Sequence, residues 1–201
     1  MNLSALNPDE ALHLRYSRVY AVVVLLAMIA HTFIKWRLGT LPELLWGCNV
    51  ASFCIIAGLW FRSPQAVAVG FLWHVCIGDP AYLIEVIRSG HTGWTSVVVH
   101  SLPPVAAFFY LHRTGLPRSA PYLALALFIA LVPISHYLTP APLNINLAHD
   151  RLWFLKAQFP GNWSYRLVFS AGMLGLLLLG DALLALVLKR PSPVSDLGLK
   201  C

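Results

Sequence analysis

The chain has 201 residues, of which 58% are apolar and only 11% charged, against about 25% charged in an average soluble domain. With a mean hydropathy of +0.70 and apolar runs recurring along its length, it requires lipid as the solvent for most of its side chains. That excludes an ordinary soluble enzyme, a disordered chain, a disulfide-stapled module and a nucleic-acid binder, each of which needs more polar or cysteine-paired surface. The net charge of +6 is read as loop Lys and Arg that set topology and touch anionic headgroups.

In chain order, residues 1–16 form a polar juxtamembrane segment with no cleavable signal pattern, in which Asn7-Pro8-Asp9-Glu10 reads as a capping box opening a helix. Six apolar spans follow, near 17–36, 41–61, 66–87, 95–113, 121–138 and 164–189. The expected architecture is therefore all-α, a polytopic bundle of six transmembrane helices over 17–189, with a disordered tail at 190–201. Thr40-Leu41-Pro42-Glu43 reads as a second capping box that starts the second span, and the long fifth connection, 139–163, reads as an ordered loop with interfacial aromatic anchors.

Six spans leave both termini on one face. Arg15, Arg18, Arg62, Arg113, Arg118, Lys189, Arg190 and Lys200 lie with them, against six basic residues opposite, so the positive-inside rule places both termini in the cytoplasm. The protein is expected to be integral to the membrane, the inner membrane in a bacterial source, with a membrane lipid rather than a nucleic acid as its partner.

Ionisable groups at membrane depth mark function because they are costly to bury. Cys48 falls ~10 Å, and His100 ~8 Å, below the face opposite the termini. His31, Asp79 and His136 fall in the same half of the bilayer, beneath a loop with Asn144, Asn146, His149 and Asp150. Pro103-Pro104 and Gly78-Asp79-Pro80 interrupt backbone hydrogen bonding at that level, which argues for a hydrated pocket. His74, near the midplane on the terminal side, stands outside this group, and Asp181 reads as a partner for a neighbouring helix. Cys54 and Cys76 read as small hydrophobes.

Cys48 and His100 are the candidate catalytic pair, thiol and base, with Asn49, Asp79, His31, His136, Asn144 and Asn146 as the supporting pocket. Asp79 would orient His100, and Asn49 or a freed backbone donor would stabilise an oxyanion. No metal or other cofactor is expected, because no His-x3-His or Cys-x2-Cys places two ligands on one helix face.

Leu45-Trp46-Gly47-Cys48-Asn49, His100 and Asn144-x-Asn146, in this span order, resemble the YwaF-like six-span integral membrane proteins. That family is similar to an ether-phospholipid acyltransferase that uses an intramembrane Cys and His, and more distantly to androgen-induced fatty-acid-ester hydrolases that use Thr and His. The resemblance implies lipid acyl transfer or ester hydrolysis, with Cys48 and His100 in the corresponding roles. Trp46-Gly47 departs from the pattern, standing where a His-bearing stretch is expected. The alternative reading is a transporter or ligand-binding membrane module whose His/Asp/Asn pocket holds a solute or proton.

Overall fold

The computed structural model describes residues 8–150, 158 and 162–190, and every regular element among them is helical. Helix α1 runs Pro8–Arg37 without a break, so the juxtamembrane segment and first span are one helix; the cap residue Asn7 and the tail from 191 lie outside the described residues. Helix α2 spans Gly47–Phe61, α3 Pro64–Trp73 and α4 Asp79–Ser89. Helix α5 spans Trp94–Thr114, α6 Ala120–Leu138 and α7 Asn162–Leu184.

Five stretches are long and apolar enough to cross a membrane: Tyr16–Arg37, Pro64–Ser89, Trp94–Thr114, Ala120–Leu138 and Trp163–Leu184. The second expected span differs from its sequence reading. Its first turn, Leu41–Leu45, is a 3-10 helix, and the α-helix proper begins only at Gly47 and holds 15 residues. The Thr40 box does not form: Thr40 makes no side-chain cap, and the Glu43 carboxylate pairs with Lys35 in the last turn of α1. The nearby cation out-competes a backbone amide for the acid, because a charge-assisted pair is stronger than a neutral-donor bond.

Apolar side chains are turned outward in a way that soluble proteins avoid. Leu26, Phe61, Leu179 and Leu186 are exposed by 60%, 78%, 58% and 82%, as lipid-facing residues should be. The inside is organised around α3, in which every residue from Val67 to Trp73 is buried; a helix apolar all round belongs at the centre of a bundle. It packs against α2, α5, α6 and α7.

Glycines let α2 and α3 approach. A Cβ on Gly70 would lie 2.4 Å from the Ala51 carbonyl oxygen, and one on Gly58 would lie 2.6 Å from the Val67 amide nitrogen. Backbone contact of this kind is how helices associate where no hydrophobic effect drives them together. At the other end of α2, the Trp73 indole lies over Gly47, where a Cβ would meet its ring at 2.2 Å.

The third apolar segment is continuous from 64 to 89 despite Gly78-Asp79-Pro80. Where the sequence predicts an interruption, the structure has a single π-helical turn, His74–Gly78, with the Asp79 amide donating to the His74 carbonyl. Proline cannot donate to the carbonyl four residues back, and widening the turn by one residue absorbs that loss without breaking the helix. Helix α5 likewise runs through Pro103 and Pro104.

The α2–α3 contact predicts that Gly70→Ala forces the two backbones apart. It should lower stability by about 1–3 kcal/mol, read as an earlier thermal unfolding midpoint of the purified protein in detergent. The same substitution at Gly172, inside α7, whose Cβ would meet nothing within 4 Å, should not lower the midpoint and should raise it slightly.

Candidate functional site

The π turn decides the geometry of the polar centre. Residues five apart on an α-helix are separated by about 140° around its axis, but a wider turn brings them onto one face. His74 and Asp79 bracket that turn, and the Asp79 Oδ1 lies 2.9 Å from the His74 Nδ1. The same oxygen lies 2.8 Å from the Nδ1 of His100, which α5 brings across. One carboxylate oxygen is therefore shared by two imidazoles from different helices. His74 is fully buried, whereas the Asp79 side chain retains 28% of its exposure and that of His100 10%.

The outer edge of the cluster is made by Tyr82, one turn along α4, whose ring stacks flat on His100 with centroids 4.0 Å apart and an interplanar angle of 4°. Its hydroxyl is held by Thr92 in the α4–α5 connection. His100 therefore has its ring plane set by Tyr82 and its Nδ1 set by Asp79. Among the described residues its Nε2 has no hydrogen-bond partner.

The inner edge is made by Ser52 of α2. Its Oγ lies 3.0 Å from the Cys48 carbonyl oxygen and 3.0 Å from the His74 Nε2. A carbonyl can only accept and a hydroxyl has one proton. Both contacts are hydrogen bonds only if Ser52 donates to Cys48 and His74 donates from Nε2, which leaves the second ring nitrogen of a neutral His74 bare toward Asp79.

The pair predicted from sequence is brought into one neighbourhood. Cys48 packs against the π turn, since a Cβ on Gly78 would lie 3.2 Å from the Cys48 Cβ, and Gly78 directly precedes Asp79. Among the described residues no hydrogen bond joins Cys48 to His100; the Nδ1 of His100 is spent on Asp79. Asn49 is buried, with its amide donating to the Glu43 carbonyl at 3.0 Å and its Oδ1 without a partner among the described residues. His31, also buried, bonds through Nδ1 to the Thr95 hydroxyl at 3.1 Å and ties α1 to α5.

The remaining expected pocket residues hold the loop after α6. Asn144, at φ 43°, closes a turn with its Oδ1 accepting from the amides of His149 and Asp150. His136 bonds to the Ala148 carbonyl at 3.1 Å and packs on the His149 ring at 4.7 Å. Asn146 reaches further: its Oδ1 accepts from the Gly47 amide at 2.9 Å, and its Nδ2 donates to the Leu45 carbonyl at 2.7 Å and the Ser135 hydroxyl at 2.8 Å. It thereby satisfies an otherwise free donor at the start of α2, one residue before Cys48. Asp181 pairs with Arg190, beyond the end of its own helix, rather than with a neighbouring helix. Residues 151–157 of the long connection lie outside the described residues.

His74 and Ser52 belong to the centre although the sequence reading did not include them. The usable signal was a His five residues before an Asp-Pro, because the proline makes a widened turn favourable there. The expectation of no metal rested on α-helical spacing, and that spacing does not apply across the π turn. His74, Asp79 and His100 have one donor atom each within 4.8 Å of one another.

Asn146→Ala strips the Gly47 amide, the Leu45 carbonyl and the Ser135 hydroxyl of a shared partner in a buried place. It should cost about 3 kcal/mol, measured as a lowered unfolding midpoint, whereas truncation of the exposed Trp163 should cost little.

Compared with protein-family models, curated proteins and solved structures, the chain finds no match.

Proposed function

We propose that this protein is a membrane enzyme that transfers or hydrolyses an acyl group of a membrane lipid, with Cys48 as nucleophile and His100 as base. The observation that carries the reading is the bond between the Asp79 Oδ1 and the His100 Nδ1, 2.8 Å long and at membrane depth. A carboxylate there holds the proton on Nδ1 and leaves Nε2 basic, which is the arrangement a general base requires. The Cys48 Cβ sits against Gly78, the residue before Asp79, and the resemblance of Leu45–Asn49 and His100 to the YwaF-like family, itself similar to a lipid acyltransferase, supports the same two residues.

In this mechanism the Nε2 of His100 takes the Cys48 thiol proton. The thiolate attacks the acyl carbonyl carbon, the carbon–oxygen ester bond breaks, and the departing alkoxide takes the proton back from His100. Water or a second alcohol then gives its proton to His100, attacks the thioester, and releases the thiolate, which is reprotonated. Tyr82 keeps the imidazole plane fixed throughout. Val75 and Cys76, within the π turn, line an apolar groove of about 290 Å³ with Leu176, Leu179 and Leu183 of α7.

The membrane arrangement that suits this site has six crossings, the 15-residue α2 together with its 3-10 lead-in completing the second, and both termini in the cytoplasm. Reporter fusions at the two ends should read the same side; opposite readings would leave an odd number of crossings and put the Lys/Arg assignment in error.

Reactivity tests the chemistry. In a Cys201→Ser background, a long-chain chloroacetamide should label Cys48 ahead of Cys54 and Cys76, as read by mass spectrometry of the peptides. His100→Ala and Asp79→Asn should each slow that labelling by about tenfold or more. Equal labelling of the three cysteines, or Cys48 labelling indifferent to His100, refutes the dyad.

A further inference from the structure

The proton count around His74 points beyond acyl chemistry. Ser52 has one hydroxyl proton, the Cys48 carbonyl at 3.0 Å can only accept it, and so the His74 Nε2 at 3.0 Å must be the donor to Ser52. A neutral His74 then turns a lone pair toward Asp79 Oδ1 at 2.9 Å, and two lone pairs at that distance repel. A proton shared between the two atoms, on either of them, is one answer, and a metal cation is the other; the surroundings are shaped for the second.

We propose that His74 Nδ1, Asp79 Oδ1 and His100 Nδ1 form a binding site for a divalent transition-metal ion of the zinc class. The three residues offer one donor atom each within 4.8 Å of the others, and the gaps from Oδ1 to the two Nδ1 atoms are 2.8 and 2.9 Å. Ligand atoms on a tetrahedral zinc with bonds of about 2.0–2.1 Å are about 3.3 Å apart, so the two gaps to Oδ1 open by about half an ångström when the ion enters, with the two imidazole nitrogens adjusting to the same spacing. Two imidazoles and one carboxylate favour zinc, cobalt or nickel over magnesium or calcium, which prefer oxygen.

The supports around the ligands are those that metal sites use. A metal-bound imidazole normally donates its other N–H to a fixed acceptor, and Ser52 offers one to His74. Tyr82 fixes the ring of His100. The partial exposure of Asp79 leaves a way in, and three protein ligands leave a coordination position for water or substrate. On binding, one M²⁺ enters, the proton between His74 Nδ1 and Asp79 Oδ1 leaves to solvent, and the proton of His100 moves from Nδ1 to Nε2. His100 cannot then act as a base. Metal and base function are thus alternative states of one residue, and the site stands whether or not Cys48 is a nucleophile.

Chelator-stripped protein in detergent, titrated with Zn²⁺ against a chromophoric chelator, should bind about one equivalent per chain, with Mg²⁺ failing to compete. Asp79→Asn and His100→Ala should weaken binding by about 100-fold, and Ser52→Ala by about tenfold. Cys48→Ser should bind as the parent does, and the Co²⁺ form should show ligand-field bands without a thiolate charge-transfer band. Zinc should raise the unfolding midpoint of the parent but not of Asp79→Asn.

Failure of the unaltered protein to take up near-stoichiometric metal overturns the proposal by itself, even if the ligand variants do not fold. Uptake that ignores all three substitutions, or a cobalt–thiolate band, overturns the assignment of ligands. His100-dependent labelling of Cys48 without zinc binding would sink this inference and leave the acyl reading intact; zinc binding with His100-independent labelling would do the reverse.

Discussion

A carboxylate inside an apolar bundle must be matched by positive charge or hydrogen-bond donors, and meeting that demand at Asp79 organises the polar part of this protein. Two histidines from different stretches of the chain converge on one oxygen, at 2.9 and 2.8 Å. Each is in turn held from its far side, His74 by Ser52 and His100 by the flat stack of Tyr82. The network thus ties α2, the 64–89 segment and α5 together with directional bonds. In lipid such bonds matter for specificity, because apolar side chains alone distinguish poorly between one helix neighbour and another.

The network can be so compact because small residues surround it. Gly70 and Gly58 let α2 touch α3 backbone to backbone, and Gly47 and Gly78 accept the Trp73 ring and Cys48. Close approach of α2 brings Ser52 within reach of His74 and sets Cys48 beside the turn that leads to Asp79. The loop after α6 completes this from above, with Asn146 bonded to both sides of the junction between the 3-10 lead-in and α2. The position of the candidate nucleophile is therefore governed by residues on four separate parts of the chain.

The helical, membrane-spanning class was legible because it follows from composition and from the length of the apolar runs, neither of which depends on detail. Asp79 and His100 were legible for a related reason, since ionisable groups at similar depth in neighbouring spans have few partners other than each other. What could not be read depended on local backbone geometry. His74 was set apart by its depth, near the midplane on the terminal side, and a count of depth does not reveal the widened turn that aims it at Asp79, while Ser52 looked like any small residue in an apolar helix. The Thr40 box failed because the end of α1 supplies Lys35, a contact that exists only once two helices have packed. His136, expected at the level of the centre, and Asn144, expected just above it, both serve the loop, because depth says nothing of which way a side chain is turned.

The π turn also has a meaning for how such a centre is acquired or lost. A π turn is an α-helix with one additional residue taken up in a widened turn, so that residues five apart across it share a face as residues four apart do on an ordinary α-helix. Asp79, Tyr82 and the rest of α4 all lie beyond the turn. Removing one residue from 75–78 would leave a helix still long and apolar enough to cross the membrane, with His74 and Asp79 four apart on one face of an ordinary α-helix, so that the carboxylate and the stacking ring keep their direction. The polar centre is in this sense tolerant of a change of one residue in its span as long as the widened turn takes it up; taken up as ordinary α-helix, the same residue would turn everything beyond it by about 100° and undo the centre while the span endures.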